Sequence, residues 1–341
     1  MAKDGKPTVY DIARIACVSV ATVSRVLNHH RGVRAATAER INQIIESTGF
    51  RPRWHSKANQ IVGFLLPPYQ GCLQGSFLRT LVASCYSSLR EAGFSLQLLW
   101  RSIYHENRPF KARIGSFESL AGIIVVSCPP DYEFDRQLLE ASHAFPCVVI
   151  GRLDEGSASA FPHNIISDDF QAGDELARLL LRYNHRSFCL VSASQKDYGH
   201  AQRLAGMLTA LREAGIRPEK IRCLEFRDNL KSRGRKLAFD LAADRMPPEA
   251  VLFTDSLICS GFAMGCHDAK LDIPRTLSVA GFEDDTELES LPQSITSVRI
   301  SAEELGRQAV RSLLAQCLRQ AEPLPKVTMH TLQVGGSIQM R

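Results

Sequence analysis

The chain has 341 residues, 45% of them hydrophobic and 23% charged, a composition typical of a soluble globular protein with two or three domains. Its apolar runs, such as residues 61–67 and 122–128, are too short to cross a bilayer, and its polar start lacks the apolar stretch of a secretion signal, so we expect a cytoplasmic protein with no membrane partner. The ten cysteines form no Cys-x-x-Cys pair and no zinc spacing, which favours free thiols over a disulfide framework and predicts neither a metal nor a cofactor.

Positive charge is concentrated at the start of the chain. The whole chain has a net charge of +5, and residues 1–57 contain ten Lys and Arg against four Asp and Glu. The first 57 residues therefore carry a net charge of +6, and the other 284 residues carry −1. A basic head on a nearly neutral body is expected when only the head meets a polyanion.

Three short helices are predicted in this basic head. Thr8 and Asp11 fit a capping box at the start of the first helix, Ser19 can cap the second, and Thr37 begins the third, which ends at Gly49. Apolar residues recur at helical spacing in all three. The inward positions are Val9, Ile12, Ala13 and Ala16, then Val23, Val26 and Leu27, then Ile41, Ile44 and Ile45.

The outward face of the second helix decides between a DNA-reading head and a plain three-helix bundle. This face carries short side chains and one arginine, namely Val20, Ala21, Thr22, Ser24 and Arg25. Short side chains let a helix enter the major groove, and arginine can bind guanine O6 and N7 together. Arg31 and Arg34 follow where a loop would meet phosphates. These features favour a helix-turn-helix, although a bundle without a DNA role stays open on this evidence.

The head also resembles a known family. The runs TVYDIA from Thr8, Val18-Ser19, and TVSRVLN from Thr22 are similar to the head of the LacI/GalR family of bacterial regulators. The resemblance implies that Val20, Ala21 and Arg25 read bases in a palindromic double-stranded operator bound by a homodimer. It further implies a set of residues that hold the DNA backbone or neighbouring base edges, namely Tyr10, Ser19, Thr22, Ser24, Asn28 and His29.

Two departures from the family pattern bear on these expectations. Cys17 stands where the family usually has glycine, and a left-handed conformation there would cost about 1 kcal/mol. The hinge after the head is shortened, and Asn59 stands where the family has a leucine that wedges into the minor groove. Trp54 either replaces that leucine as a wedge or covers the core of the head. Lys57 lies between Trp54 and Asn59 in this hinge.

The rest of the chain predicts an α/β body with parallel sheets, because apolar strands alternate with amphipathic helices. The predicted strands are Ile61–Leu66, Ser95–Leu99, Gly122–Ser127, Cys147–Ile150, Phe188–Ser192, Ala250–Thr254 and Ser278–Phe282. The predicted helices are Phe77–Ala92, Gly173–Tyr183, Ala201–Ala214, Ser260–Ala269 and Ala302–Arg319. The run LREAGF from Leu89 returns as LREAGI from Leu211, each at the end of a helix, which favours two similar lobes.

Two parallel-sheet lobes place a ligand cleft at the carboxyl ends of their strands. The body resembles the type I periplasmic-binding-protein core of the same family at residues 121–124, 167–169, 203–206 and 274–282. The resemblance implies that a small-molecule effector meets Asp168, Arg203, Thr254 and Glu283, with Phe77 as a stacking surface. An arginine facing carboxylates, with one aromatic ring, suits a sugar better than a nucleobase. Each aspartate after a strand also has a plainer explanation as a helix cap or turn residue.

The sequence thus predicts a small all-α helix-turn-helix domain followed by a two-lobed, parallel-sheet α/β core of the type I periplasmic-binding-protein kind. We expect the head at 1–53, the hinge at 54–60 and the core at 61–341, with one lobe at about 61–180 and 300–326 and the other at about 181–299 and 327–341. The expected function is a sequence-specific transcriptional repressor controlled by a sugar-like effector. The alternative is a relative that binds DNA without an effector.

Two other classes of protein fit the sequence less well. An enzyme is disfavoured because the chain has no Gly-x-Ser-x-Gly elbow, no phosphate-binding Gly-Lys-Ser/Thr loop and no His-Glu-x-x-His motif. A solute-binding protein for uptake would share the two lobes, but it would need an export signal and no basic head.

Overall fold

The computed structural model describes residues 9–19, 22–23, 26, 33–48, 60–67, 73, 75–100, 120–126, 138, 140, 142, 145–151, 163–193, 198–226, 230–282, 294–318 and 327–341. The chain forms two units, Met1–Gln60 and Ile61–Arg341, which are called the head and the body below. Across the described residues, no helix combines the length and the apolar character needed to span a membrane.

The head is helical and closes around a very small core. Helix α1 is Val9–Ile15, residues 22, 23 and 26 are helical, and helix α2 is Ala35–Thr48. The predicted inward stripes are confirmed where the side chains are described, since the buried core consists of Ile12, Ala13, Ala16, Val23, Val26 and Ile41. Helix α2 begins before the predicted Thr37, because the Arg34 carbonyl already accepts hydrogen bonds from the backbone N–H groups of Thr37 and Ala38.

Cys17 lies in the turn between the first two helical segments and has a φ of 50°. This is the left-handed conformation expected for the position where the family usually has glycine. The side chain of Cys17 is exposed and its Sγ lies 3.7 Å from the Arg14 carbonyl oxygen. Val18 N–H donates to the Ala13 carbonyl, which returns the chain towards the core after the turn.

The helices of the body alternate with its strands, as predicted. Those with described bounds are α3 (Ser76–Glu91), α4 (Asp169–Arg182), α5 (Tyr198–Glu213), α6 (Lys231–Ala242), α7 (Ser256–Asp268) and α8 (Ala302–Leu318). A short 3-10 turn at Pro218–Lys220 follows α5. The predicted helices of the body all exist, but α4, α5 and α7 begin three or four residues earlier than the apolar spacing indicated. The first turn of α4 alternates polar and apolar residues, so its start lacks the apolar spacing of a helix.

One sheet of the body is parallel throughout and has the strand order β11-β5-β4-β3-β1-β2. Its strands are β1 (Ile61–Leu66), β2 (Ser95–Trp100), β3 (Leu120–Val126), β4 (Cys147–Ile150), β5 (Asn164–Ser167) and β11 (Val327–Thr328). Side chains alternate between its two faces, so Phe64 and Leu66 join one buried cluster and Leu65 joins another. Helix α8 packs against β3 and β4 and against α3.

The second sheet has the strand order β12-β10-β9-β8-β6-β7 and is parallel except for β12, which runs antiparallel to β10. Its strands are β6 (Phe188–Ser192), β7 (Ile221–Glu225), β8 (Ala250–Phe253), β9 (Ser278–Phe282), β10 (Thr296–Ile300) and β12 (His330–Gln333). Helix α4 packs with α5, β10 and β12, and α6 packs with α7. The central strands β6, β8 and β9 are buried on both faces, as expected for parallel strands.

The two sheets repeat one pattern, which supports the interpretation of two similar lobes. In each sheet the first strand pairs with the second on one side and the third on the other, giving β2-β1-β3-β4-β5 and β7-β6-β8-β9-β10. The repeated LREAG run ends α3 in one copy and α5 in the other. Gly93 and Gly215, which follow these helices, have φ values of 82° and 72°. Phe94 and Ile216 then donate to the Leu89 and Leu211 carbonyls in the same way.

The chain passes between the sheets three times. It leaves β5 at Ser167 and enters α4, which packs on the second sheet, and it leaves β10 at Ile300 and enters α8, which packs on the first. Between β11 and β12 only Met329 intervenes. All seven predicted strands exist. Of the strands missed by the sequence analysis, β5, β7, β11 and β12 are short or largely exposed, whereas β10 is buried but rich in polar residues. Helix α6 was missed because its apolar positions are interrupted by basic residues.

Candidate DNA-reading head and candidate ligand site

Ser19 begins the second helical segment of the head by capping it. Its Oγ accepts a hydrogen bond from the Thr22 backbone N–H at 3.1 Å and lies 2.8 Å from Thr22 Oγ1. The Ser19 carbonyl accepts from the N–H groups of Thr22 and Val23. A serine that satisfies an early helix N–H is the expected N-cap geometry. The two predicted DNA contacts therefore lie side by side at the N-terminus of the segment predicted to read DNA.

Of the remaining predicted DNA contacts, only Arg34 and the backbone of Tyr10 lie among the described residues. Arg34 is exposed immediately before α2, where its side chain is accessible to a phosphate. Tyr10 belongs to α1, and its side chain lies outside the described part of the chain. Also outside the described residues are Val20, Ala21, Ser24, Arg25, Asn28, His29 and Arg31, together with the predicted hinge residues Trp54, Lys57 and Asn59.

In the body, Arg203 on α5 forms an ion pair with Asp169, the first residue of α4. Arg203 Nε lies 2.7 Å from Asp169 Oδ1, and the two side chains are only 13% and 8% exposed. The other carboxylate oxygen of Asp169 accepts a hydrogen bond from Ser167 Oγ at 2.6 Å. Ser167 ends β5, so this pair lies where the chain leaves the first sheet for the second.

Two further contacts fix the guanidinium of Arg203. Nη1 donates to the Thr254 carbonyl oxygen at 2.8 Å, and Cζ lies 4.1 Å from the centroid of the Phe282 ring. Thr254 follows β8 and Phe282 ends β9, so both partners lie at the carboxyl edge of the second sheet. A guanidinium over an aromatic face gains a cation–π interaction that increases as water is excluded. Arg203 is thereby held at the strand ends where the sequence predicted a ligand cleft.

Thr254 is fully buried, and its hydroxyl is engaged within the body. Thr254 Oγ1 accepts from the Ala193 N–H at 3.2 Å and donates to Ser192 Oγ at 3.3 Å, which ties the ends of β8 and β6 together. Its carbonyl also accepts from His200 Nδ1 at 3.0 Å. Because a carbonyl oxygen only accepts, His200 carries its proton on Nδ1. In this arrangement Thr254 presents its carbonyl, rather than its hydroxyl, to Arg203.

The other predicted ligand residues are located as follows. Asp168 is exposed and is the N-cap of α4, where Oδ1 accepts from the Gln171 N–H at 3.1 Å. Phe77 lies in the first turn of α3, half-buried against the main apolar cluster. Glu283 lies outside the described residues. The structure therefore brings Arg203 and Thr254 into contact, places Asp168 beside their cluster, and puts Phe77 on a helix of the first sheet.

Sequence reasoning missed three residues of this cluster, namely Asp169, His200 and Phe282. Asp169 stands next to the predicted Asp168, and only the start of α4 decides which of the two carboxylates caps the helix and which turns towards Arg203. His200 lies one turn before Arg203 on α5, a spacing that could have indicated a shared face. Asp255 adds a second carboxylate, since its Oδ1 caps α7 at Ile258 N–H and its Oδ2 lies 3.8 Å from His200 Nε2.

Comparison with known proteins adds to this geometry. The model of bacterial regulatory proteins of the lacI family matches residues 8–53, and that of a periplasmic binding protein-like domain matches residues 177–338. Residues 8–53 thus match the DNA-binding domain of the lacI family, and the body matches a periplasmic binding protein-like domain. The chain is 25% identical over 316 residues to the HTH-type transcriptional regulator DegA of Bacillus subtilis, with 90% of each chain covered. It is 26% identical over 316 residues to catabolite control protein A of Priestia megaterium, with 90% and 91% covered.

Solved structures of similar regulators have the same fold as this chain. The transcriptional regulator CelR in complex with cellobiose has a TM-score of 0.69 at 24% identity, with 97% of this chain and 100% of that chain covered. The lac repressor dimer bound to operator and the anti-inducer ONPF has a TM-score of 0.66 at 20% identity, with 98% and 99% covered. The predicted fold class, a helix-turn-helix head followed by a periplasmic-binding-protein-like core, is confirmed. The relatives in both comparisons are regulators rather than enzymes.

Proposed function

We propose that this chain is a homodimeric, sequence-specific repressor whose body binds a sugar-like effector between two lobes. The observation that carries the proposal is the cluster around Arg203. It joins the end of β5 in one sheet, through Asp169, to the ends of β8 and β9 in the other. A ligand that contacts this cluster touches the point where the chain crosses between the sheets, so binding there is coupled to their relative position.

DNA binding and effector binding are assigned to separate parts of the chain, with the predicted boundaries. Residues 1–53 bind the operator in the cytoplasm, 54–60 form the hinge, and 61–341 bind the effector, with lobes at about 61–180 and 300–326 and at about 181–299 and 327–341. On the DNA side, Val20, Ala21 and Arg25 read bases in the major groove. The Ser19 cap supports this assignment, because it fixes the start of the segment that carries them. Two heads of a dimer then read half-sites about one helical turn apart.

Effector control acts through the equilibrium between two arrangements of the lobes. A ligand shifts that equilibrium only as far as its affinities for the two arrangements differ. A polyhydroxylated ligand matches the donors of Arg203 and its neighbouring carboxylates, and the solved relative CelR carries cellobiose. A calorimetric titration of the full chain against a panel of sugars tests this proposal directly. Heat from at least one sugar is expected.

A second candidate is a relative that binds DNA without a small-molecule effector. It is favoured because the Arg203 guanidinium already has partners within the body. These partners are the Asp169 carboxylate, the Thr254 carbonyl and the Phe282 ring. Absence of heat across the whole panel, from protein that still binds its operator, would favour this candidate.

The DNA-binding proposal is tested by selecting bound duplexes from a random pool with the full chain. We expect a palindrome to be enriched, and we expect Arg25→Ala to relax one position of each half-site by about 1–3 kcal/mol of base discrimination. Arg14→Ala is the matched control, because Arg14 is an exposed arginine on α1 that pairs with Asp11. A selection without any enriched sequence, or one that Arg25→Ala leaves unchanged, would contradict the proposed reading of DNA.

A further inference from the structure

The charges around Arg203 bear on which effectors the body can accept. An arginine at a ligand site ordinarily suggests an anionic group, because the guanidinium matches carboxylate and phosphate geometry. Here Arg203 already has a carboxylate partner, Asp169, at 2.7 Å. Asp255 joins the same cluster through His200, and Asp168 precedes Asp169 in the chain. Arg203 is thus paired directly with one carboxylate, that of Asp169, while His200 links Asp255 to the same cluster.

The ion pair of Arg203 and Asp169 is built into the body rather than formed at its surface. Both side chains are largely buried, and Asp169 is satisfied on both oxygens, by Arg203 Nε and by Ser167 Oγ. Taking Arg203 away from Asp169 would leave an uncompensated buried carboxylate, which is strongly unfavourable. An incoming anion therefore has to share the guanidinium with Asp169 rather than replace it.

The helices that carry this pair, α4 and α5, pack closely through their backbones. Gly173 on α4 packs so closely on α5 that a Cβ atom there would overlap the carbonyl group of Arg203. Gly206 on α5 meets the Phe170 carbonyl in the same way. This close contact between the backbones of α4 and α5 brings Arg203 within ion-pair distance of Asp169.

We infer that Asp169 determines the charge class of the effector, restricting it to uncharged, hydroxyl-bearing molecules and excluding phosphorylated or carboxylated sugars. The inference rests on the proposed function, because it concerns the same ligand site. Like charges repel most strongly where water is excluded, so the carboxylates oppose an anion, whereas hydroxyl groups accept from the guanidinium and donate to carboxylate oxygens without added charge. A cationic sugar gains little either, because the Arg203 guanidinium already neutralises Asp169 and repels a second positive charge.

The test is calorimetry on the full chain with matched ligands: glucose and cellobiose, glucose 6-phosphate, gluconate and glucosamine, extended to other neutral sugars and their own 6-phosphates. For whichever neutral sugar binds, we expect its phosphate to bind at least tenfold more weakly. In Asp169→Asn, which raises the charge of the cluster by one unit, we expect the ratio of the two affinities to fall at least tenfold. Asp174→Asn is the matched control, because Asp174 is a buried carboxylate paired with Arg178 on the same helix.

The outcomes separate the inference from the function on which it rests. A phosphorylated, carboxylated or amino sugar that binds more tightly than its neutral parent overturns the inference and leaves effector control intact. An unchanged affinity ratio in folded Asp169→Asn also overturns it. If that variant does not fold, the ranking of ligands by the wild-type protein alone decides the question. Silence of every ligand overturns effector control itself, and the inference with it.

Discussion

His185 is a fully buried residue whose imidazole connects the end of α4 to the start of β9. Its Nδ1 lies 2.9 Å from the Leu180 carbonyl oxygen of α4, and its Nε2 lies 2.8 Å from Ser278 Oγ at the start of β9. Since the carbonyl can only accept, Nδ1 donates and the Ser278 hydroxyl donates to Nε2. Burial lowers the pKa of His185, against a raising effect of the Leu180 hydrogen bond. Nearby Arg341 and Arg186 lower this pKa and Glu249 raises it.

The buried neutral His185 predicts that the body loses stability in acid. The unfolded chain binds a proton at the ordinary histidine pKa of about 6.5, whereas the folded chain does so only at lower pH. The free energy of unfolding should therefore fall as the pH drops from 6.5 through the lowered pKa of the folded state. Urea unfolding at pH 7.5 and 5.5 measures this fall.

Variants isolate the contribution of this one histidine. His185→Ala should cost about 1–3 kcal/mol at pH 7.5, because it leaves buried partners unsatisfied, and it should flatten the acid loss. His267→Gln is the control, because His267 is exposed on α7. An acid loss of equal size in His185→Ala and in the wild type would contradict the prediction.

Glycine allows two pairs of helices to pack through their backbones. Gly173 and Gly206 bring α4 and α5 together, and Gly234 and Gly261 do the same for α6 and α7, where added Cβ atoms would overlap the Ile258 and Lys231 carbonyl groups. In each pair the second helix follows a strand of the second sheet. Close packing thus fixes the positions of α5, which carries Arg203, and of α7, which Asp255 caps.

Gly173→Ala is expected to lower the free energy of unfolding by about 1–3 kcal/mol, because the added methyl group forces α4 and α5 apart. It should also weaken sugar binding by displacing Arg203 from Asp169. Gly75→Ala is a matched control, since a Cβ atom at Gly75 meets nothing within 4 Å. Urea unfolding and calorimetry of both variants give the comparison. Equal stability of the two variants would show that the helices can separate without cost.

At the scale of the whole body, three short crossings connect two sheets that share one large apolar cluster, to which Phe64 belongs in the first sheet and Phe188 in the second. Ser301 caps α8 at one crossing, where its Oγ accepts from the Glu304 N–H at 3.2 Å. Met329 is 79% exposed at another, and the adjacent His330 Nε2 lies 3.0 Å from Glu175 Oε2 on α4. Burial would raise the pKa of Glu175, but hydrogen bonds from Gln171 and His330 lower it. Side-chain hydrogen bonds therefore stabilise two of the crossings, and the ion pair of Asp169 with Arg203 stabilises the third.

If a sugar acts by moving the lobes, the change should appear at the crossings and not in the sheets. Hydrogen exchange of the full chain, with and without a sugar that binds in calorimetry, should show altered deuterium uptake at 301–302 and 328–330. Peptides covering β4 and β8 should remain equally protected, because these strands are fully buried. A change confined to β4 or β8 would contradict movement of the lobes as rigid bodies.

The sequence by itself determined the features that depend on local patterns. The apolar stripes of the head, the alternation of strands and helices and the helix end at each LREAG run all follow from spacing within about twenty residues, whereas the left-handed turn at Cys17 was expected from the family resemblance. The same runs of sequence carried the family resemblance. These features were predictable because helix and strand periodicity, capping and glycine stops act between neighbours in the chain.

Only the tertiary structure decided which polar groups meet. Asp168 and Asp169 are equivalent to any local pattern, yet one caps α4 and the other pairs with Arg203, 34 residues away. The edge strands β7 and β12 lack an apolar signature because pairing with a neighbour, rather than burial, makes them strands. Ion pairs, buried imidazoles and edge strands depend on groups that the fold brings together from distant parts of the chain, and local spacing carries no information about those distances.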